Sequence, residues 1–291
     1  MTQEVWRQEY PFESQWYELP NGQRLHYVDQ GEGEPVVMVH GNPTWSFYYR
    51  NLIQAVAGTH RALAVDHIGC GLSDKPQAYQ YTLAQHTDNL LALIESLDLS
   101  TIHFVVHDWG GAIGLGVAAR IADRVKSLTI LNTGAFPPPY IPWRIYSLRT
   151  PLLGTFAIRA LNLFAGPAIK MAMHRSRLSP IAKAGLLAPY DSWANRVAVN
   201  GFVKDIPFAK SHPSRSALEQ VEAGLAALQD KPVQLIWGMK DWCFNTTCLE
   251  RFKLHFPNAR SLEIADAGHY VLEDATDEVV DCVGEFLGQW Q

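Results

Sequence analysis

Five short apolar runs recur along this chain: Val36-Val37-Met38-Val39, Ala62-Leu63-Ala64-Val65, Ile102-His103-Phe104-Val105-Val106, Leu128-Thr129-Ile130-Leu131 and Val233-Gln234-Leu235-Ile236-Trp237. Helix-patterned segments separate them. Runs this short and this continuously apolar fit strands covered on both faces, and strands that alternate with helices pair in parallel. The pattern predicts an α/β fold with a mostly parallel sheet flanked by helices. Two more polar segments, around Trp16 to Leu19 and Arg24 to Val28, flank the hairpin signal Pro20-Asn21-Gly22, so the sheet should begin with an antiparallel edge.

Between Phe136 and about Pro213 the strand rhythm stops. A proline-rich entry (Pro137-Pro138-Pro139, Pro142) leads into helical, apolar segments before the strand pattern resumes near Val233. A chain that leaves a sheet and re-enters it inserts a cap rather than a separable domain. The expected organisation is a core of residues 1–135 and 213–291 with a helical cap at 136–212, and the cleft between cap and strand ends is the expected ligand site. With 291 residues, 47% apolar and 18% charged, the chain can bury such a core.

The same composition excludes several roles. A net charge of -5 and a pI near 6.1, with no Lys/Arg run, offer no basic field for phosphates, so nucleic acid is not an expected partner. A small, hydrophobic substrate is. Four cysteines, Cys70, Cys243, Cys248 and Cys282, form no C-x-x-C pair, and eleven histidines show no metal-binding spacing. Reduced thiols in a cytoplasm are the simplest reading, with no metal or cofactor. The amino terminus, Met1 to Arg7, lacks the apolar core of a signal peptide, and the most apolar internal stretch, Ala160 to Ile169, is far too short to span a bilayer. No transmembrane segment is expected, although that stretch could touch a membrane, a partner or a greasy substrate, and the apolar cap surface could mediate self-association or assembly.

The chemistry centres on Val105-Val106-His107-Asp108-Trp109-Gly110-Gly111, a buried strand ending in a charged residue, followed at once by glycines and a helical pattern from Ala112 onward. This is the context of a nucleophile elbow, G-x-S-x-G in its serine version, with Val106 in place of the first glycine, Asp108 in the serine position and Gly110 as the last glycine. Carboxylic acids ionise at about pH 4, so an aspartate there needs no base to act as a nucleophile. Displacement at a saturated carbon would leave an alkyl ester that a histidine-activated water can hydrolyse, whereas a serine would leave an inert ether. Asp108 thus points toward alkyl halides, epoxides or strained lactones. A structural helix N-cap is the alternative.

Asp266-Ala267-Gly268-His269-Tyr270 follows the strand pattern Leu262-Glu263-Ile264 and precedes a final helix, the position of a catalytic histidine in this arrangement. A lone histidine is usually structural, and the chain order Asp108, Asp241, His269 is what singles this one out. Asp241 lies just beyond the Val233 to Trp237 run and is the candidate acid that orients the imidazole. The rival position after Leu128 to Leu131 holds Asn132, which cannot supply a charge.

Together with His40-Gly41-Asn42-Pro43-Thr44-Trp45 and Val65-Asp66-His67-Ile68-Gly69-Cys70-Gly71-Leu72-Ser73-Asp74-Lys75-Pro76, these motifs resemble the haloalkane dehalogenase family of the α/β-hydrolase superfamily across nearly the whole chain. The resemblance implies a triad of Asp108, His269 and Asp241 and a halide-binding donor pair, which Asn42 and Trp109 match, in the manner of the family's third subgroup. An amide N–H and an indole N–H aimed at one point form a small anion hole. Loop capping by Asn42 and packing by Trp109 are the alternatives. The backbone after His40 and the N–H of Trp109 would supply an oxyanion hole, while Asp66, Ser73 and Asp74 should fix a turn.

Ala188-Pro189-Tyr190-Asp191-Ser192-Trp193, Asp205-Ile206-Pro207, Lys240-Asp241-Trp242-Cys243-Phe244 and His269-Tyr270-Val271-Leu272-Glu273-Asp274 look particularly like the β-lactone decarboxylases of long-chain olefin biosynthesis, which fall within that subgroup. This implies either halide displacement or opening of a β-lactone carrying two alkyl chains, with Leu161, Leu163, Phe164, Ile169 and Met171 as cap residues able to face such chains or to form cap core. An epoxide hydrolase would need two cap tyrosines, for which Tyr140, Tyr146 and Tyr190 are candidates. A fluoroacetate-type dehalogenase would carry arginine where Trp109 stands. A non-catalytic small-molecule receptor is the reading from a different class.

Overall fold

A computed structural model describes residues 5–138 and 140–289. Residues 1–4, 139, 290 and 291 lie outside it, and with them Met1 to Glu4 of the amino terminus and Pro139 of the proline-rich entry.

The chain builds strands β1 (Ser14–Glu18), β2 (Arg24–Gln30), β3 (Pro35–Val39), β4 (Arg61–Val65), β5 (Ile102–Asp108), β6 (Val125–Thr133), β7 (Val233–Gly238) and β8 (Arg260–Ile264). They form a single sheet in the order β1-β2-β4-β3-β5-β6-β7-β8. β1 pairs antiparallel with β2, and β2 antiparallel with β4. All the pairs from β4 to β8 are parallel. The hairpin between β1 and β2 closes where expected, with Gly22 at φ +78° and its N–H donating to the Leu19 carbonyl at 2.8 Å. That φ is open to glycine at little cost.

The central strands are buried on both faces because successive side chains alternate between two apolar layers. Val37 and Val39 of β3 join the core on one side of the sheet, and Val36 and Met38 join the core on the other. The edge strand β8 is mostly exposed. The helix after β5 spans Trp109–Arg120 and so starts three residues before the expected Ala112. Glycine makes this early start possible: a Cβ on Gly110 would collide with the Val39 carbonyl, and one on Gly111 with the Thr133 side chain.

Between β6 and β7 come the short helices Trp143–Ser147, Leu153–Arg159, Ala165–Met171, Pro180–Leu187 and Val197–Asp205. The helix Arg215–Gly224 that follows packs on Trp109–Arg120, back against the sheet. Hydrogen bonds tie the preceding helices over the strand ends: Trp45 Nε1 donates to the Gly185 carbonyl at 2.9 Å, Tyr190 Oη to that of Thr44 at 3.1 Å, and Trp242 Nε1 to that of Met171 at 2.8 Å. Among the described residues no helix is long and apolar enough to cross a membrane, and all four cysteines are unpaired.

Candidate active site

The carboxyl ends of β3, β5, β6, β7 and β8 share one edge of the sheet, so the loops after them converge. Asp108 ends β5 at φ +52° and ψ −129°, a left-handed conformation that L side chains adopt only at some cost in free energy. Two contacts hold it there. Thr133 Oγ1 donates to the Asp108 carbonyl, and the Asn42 N–H donates to Oδ1 of its side chain at 2.6 Å. A Cβ on Gly41 would overlap that carboxylate. Asn42 N–H is the donor bonded to Oδ1 in this resting geometry, without the Trp109 N–H expected beside it.

The supporting loop is set by histidine. His40 Nε2 accepts from the His67 N–H at 3.1 Å, which leaves Nδ1 protonated to donate to the Gly41 carbonyl at 2.7 Å. Behind it, the Asp66 carboxylate accepts from the Ser46 and Leu72 N–H groups at 2.7 and 2.9 Å. Ser73 Oγ donates to the Asp66 carbonyl, and Asp74 accepts from the Arg24 N–H. These three residues fix a turn, as their motif suggested.

The structure brings Asp108, Asp241 and His269 together. His269 Nδ1 lies 2.8 Å from Asp241 Oδ2, and its Nε2 lies 3.5 Å from Asp108 Oδ2. Both carboxylates accept only, so this geometry suits an imidazole that donates from both nitrogens. Burial opposes the charge on His269, but the charge of Asp241 and the hydrogen bond to Asp108 outweigh it and raise its pKa to about 10. Burial likewise works against the Asp241 charge, yet His269 and the N–H of Cys243 keep its pKa below the usual carboxylate value.

Two further residues were not identified from the sequence as supports. Asn132, set aside as a rival acid, donates from Nδ2 to Asp241 Oδ2 at 3.0 Å. It also exchanges hydrogen bonds with the Gly238 backbone at 3.1 and 2.7 Å. His107 is fully buried, stacks on Tyr48 at 4.7 Å and packs beside the His269 ring at 4.6 Å. Burial pushes its pKa down to about 3, with His269 adding to the effect, so it is neutral and donates from Nε2 to the His269 carbonyl at 2.9 Å. Its place immediately before Asp108 was the only available signal.

Two apolar cavities meet at Asp108. Asn42, Asp108, Ile145, Phe164 and Cys243 line both. One runs past Trp109, Ile206 and Leu218 toward Cys248, and the other past Leu148, Leu163, Ala168 and Met171 toward Tyr270. Of the residues expected to face substrate or form cap core, Leu163, Phe164 and Met171 line the second cavity, whereas Leu161 is exposed and Ile169 is packed in the core. Short helices covered on one side and wet on the other do not reveal from sequence which side holds the cavity.

Donors line the junction as well. Asn42 Nδ2 donates one hydrogen to the Val199 carbonyl at 3.3 Å and keeps a second. Trp109 lines the first cavity, and its indole N–H has no hydrogen-bond partner among the described residues. The tyrosines of the epoxide alternative do not form a pair at Asp108. Tyr140 bonds the Trp242 and Cys243 carbonyls, Tyr190 bonds Thr44, and Tyr146 is in solvent.

A model of the α/β hydrolase fold matches residues 34–276 of this chain. The chain is 45% identical to a cis-3-alkyl-4-alkyloxetan-2-one decarboxylase of Shewanella oneidensis, over 92% of this chain and 86% of that one. It is 38% identical to the protein of the same name in Xanthomonas campestris pv. campestris, over 96% and 97%. Haloalkane dehalogenase 2 of Mycobacterium tuberculosis is 35% identical over 96% of both chains. Among solved structures, the haloalkane dehalogenase DatA from Agrobacterium tumefaciens C58 superposes with a TM-score of 0.85 at 26% identity, covering 96% of this chain and 97% of that one.

Proposed function

This chain belongs to the α/β-hydrolase superfamily, within the group that holds haloalkane dehalogenases and cis-3-alkyl-4-alkyloxetan-2-one decarboxylases, and from that premise we propose that it decarboxylates β-lactones bearing two alkyl chains. The observation that carries this reading is the pair of apolar cavities diverging from Asp108. A cis-disubstituted four-membered ring at the junction sends one chain into each, and burial of the chains supplies binding energy at about 0.8 kcal/mol per methylene.

Asp108 is the nucleophile. Its Oδ2 attacks ring carbon 4, the bond from that carbon to the ring oxygen breaks, and strain is released. The negative charge passes from Asp108 to the freed carboxylate, whose oxygen departs on the side opposite the attack. Asn42 Nδ2 and the Trp109 indole N–H stabilise that developing charge. The carbon 2 to carbon 3 bond then breaks, its electron pair forms the double bond between carbons 3 and 4, and Asp108 leaves carbon 4 as a carboxylate. Carbon dioxide and an alkene are the products, and no water or proton is consumed. Anti departure after inversion keeps the two alkyl groups cis.

A second reading, haloalkane hydrolysis, is favoured by the same two donors, which suit a departing halide equally well. There the Asp108 ester must be hydrolysed. Alkylation removes the Asp108 charge, one of the two that hold His269 protonated, so its pKa falls and the imidazole becomes a base for water. Asp241 orients it, and the Asn42 N–H stabilises the oxyanion on Oδ1. In both readings residues 1–135 and 213–291 act as the catalytic core and 136–212 as the cap, and the four free thiols suit a cytoplasmic setting.

Incubation with a cis-3,4-dialkyl β-lactone, followed by gas chromatography of the organic phase, tests the proposal. A cis alkene formed by wild type and not by Asp108→Asn is expected. Halide release from 1,2-dibromoethane without any alkene from the lactone would transfer the function to the second reading, and inactivity toward both would remove both.

A further inference from the structure

The cap carries a surface that neither chemistry requires. Leu152, Leu153 and Phe156 are 85%, 78% and 55% exposed and occupy adjacent positions at the start of one short helix. Trp143, 71% exposed, and Leu163, 47% exposed, lie on the same stretch of chain. Isolated exposed apolar residues are ordinary, whereas a run of them marks a surface that meets something apolar.

Charge says what that is. From residue 136 to 190 the chain has no Asp or Glu, yet seven Lys and Arg, in a protein whose net charge is -5. Of these seven, Arg175 alone forms ion pairs among the described residues, with Asp266 and Glu278. Arg144, Arg149, Lys170, Arg177 and Lys183 make none. Basic residues outside any ion pair, interleaved with Trp, Leu and Phe on short helices, are the composition of an element that lies in the interface of an anionic bilayer. A second copy of the chain fits poorly, because a two-fold contact would set the excess positive charge of this stretch against itself.

We infer that the cap face around Leu152, Leu153 and Phe156 docks on the surface of an anionic phospholipid bilayer. Trp143 and Leu163 are both exposed and both line the second cavity, so that cavity opens within the docking face. An alkyl chain can pass from acyl layer to cavity without crossing water, whose contact with apolar surface is unfavourable. Docking does not depend on which electrophile reacts.

The full chain is floated, without substrate, with vesicles of phosphatidylcholine alone and of phosphatidylcholine mixed with phosphatidylglycerol. Binding to the mixed vesicles, weakened by salt, is expected, with little binding to phosphatidylcholine alone. The variant L152S/L153S/F156S should lose it. Arg149→Glu combined with Lys170→Glu should weaken it more than about 25-fold, at about fivefold per charge. None of these residues lines either cavity, so turnover of a short-chain, soluble substrate and thermal melting serve as controls for folding. Absence of wild-type binding to the mixed vesicles, or binding unchanged in both variants, would overturn the inference. Retention on polyglutamate without vesicle binding would assign the face to an acidic protein and overturn it as well. Because no turnover is measured in flotation, either result leaves the proposed chemistry standing.

Discussion

Asn132 Nδ2 donates to Asp241 Oδ2 at 3.0 Å, the same oxygen that faces His269 Nδ1 at 2.8 Å. One oxygen thus receives two donors, and the amide that supplies one of them is itself fixed by both backbone groups of Gly238. The acid is held by the end of β6 as well as by its own loop after β7.

Replacing Asn132 with leucine removes that donor and takes the Asn132 Oδ1 acceptor from the Gly238 N–H in a buried place, while the Gly238 carbonyl keeps the Asp241 N–H at 3.1 Å. The expected stability loss is about 1–3 kcal/mol for unsatisfied buried polar groups, read by denaturant unfolding. A looser Asp241 should also lower His269-dependent turnover, seen as a reduced kcat with a little-changed KM and a shifted pH profile.

His269→Ala separates the two chemistries. Hydrolysis of an alkyl ester on Asp108 needs a base for water, and general base catalysis contributes about 10²–10⁴-fold, so turnover of 1,2-dibromoethane should fall by that much. Mass spectrometry should then find the alkyl group retained on the Asp108 peptide. Alkene formation from a β-lactone transfers no proton and should fall far less. Equal losses with both substrates would rule out the water-free route.

The raised pKa of His269 has a consequence for stability. Its folded value of about 10 exceeds the unfolded value of about 6.5. The stabilisation is therefore complete below the unfolded value and is lost as pH rises through 10. Thermal melts should show a falling Tm between pH 7 and 10. Asp108→Asn removes one of the two carboxylates that raise the pKa, so its Tm should fall less over the same interval. A steeper fall in the variant would contradict the charge assignment.

The two cavities should set chain length independently. Ile206 lines only the first and Ala168 only the second. Ile206→Trp and Ala168→Phe should each shorten the tolerated chain on one side. Exclusion of two methylenes costs about 1.6 kcal/mol, about 15-fold in kcat/KM, for a lactone long on that side. A lactone with short chains on both sides should be nearly unaffected. Kinetics with two lactones that differ in which side carries the long chain check this.

Much of the frame was legible in the sequence, since it rests on short-range regularities. The apolar runs of β3 to β7 mark strands because a strand buried on both faces has no polar alternation to display. The Asn21-Gly22 turn marks the antiparallel edge because Gly22 takes a left-handed φ. Asp108 stands out because a charged residue that ends such a strand, with two glycines directly behind it, has few structural uses. His269 and Asp241 followed from chain order and from their places after β8 and β7. The tertiary structure decided what depends on distance between remote segments. Only the neighbouring of β5, β6, β7 and β8 brings residues 108, 132, 241 and 269 to one edge and turns Asn132 from a failed acid into a donor. Only the folded arrangement of the helices between β6 and β7 sorts Leu163 and Met171 into a cavity, Ile169 into core and Leu161 into solvent, because helices this short have an apolar face but no local sign of which side that face will meet. The division of the cleft into two branches at Asp108 likewise arises from side chains far apart in the chain, and no local pattern encodes it.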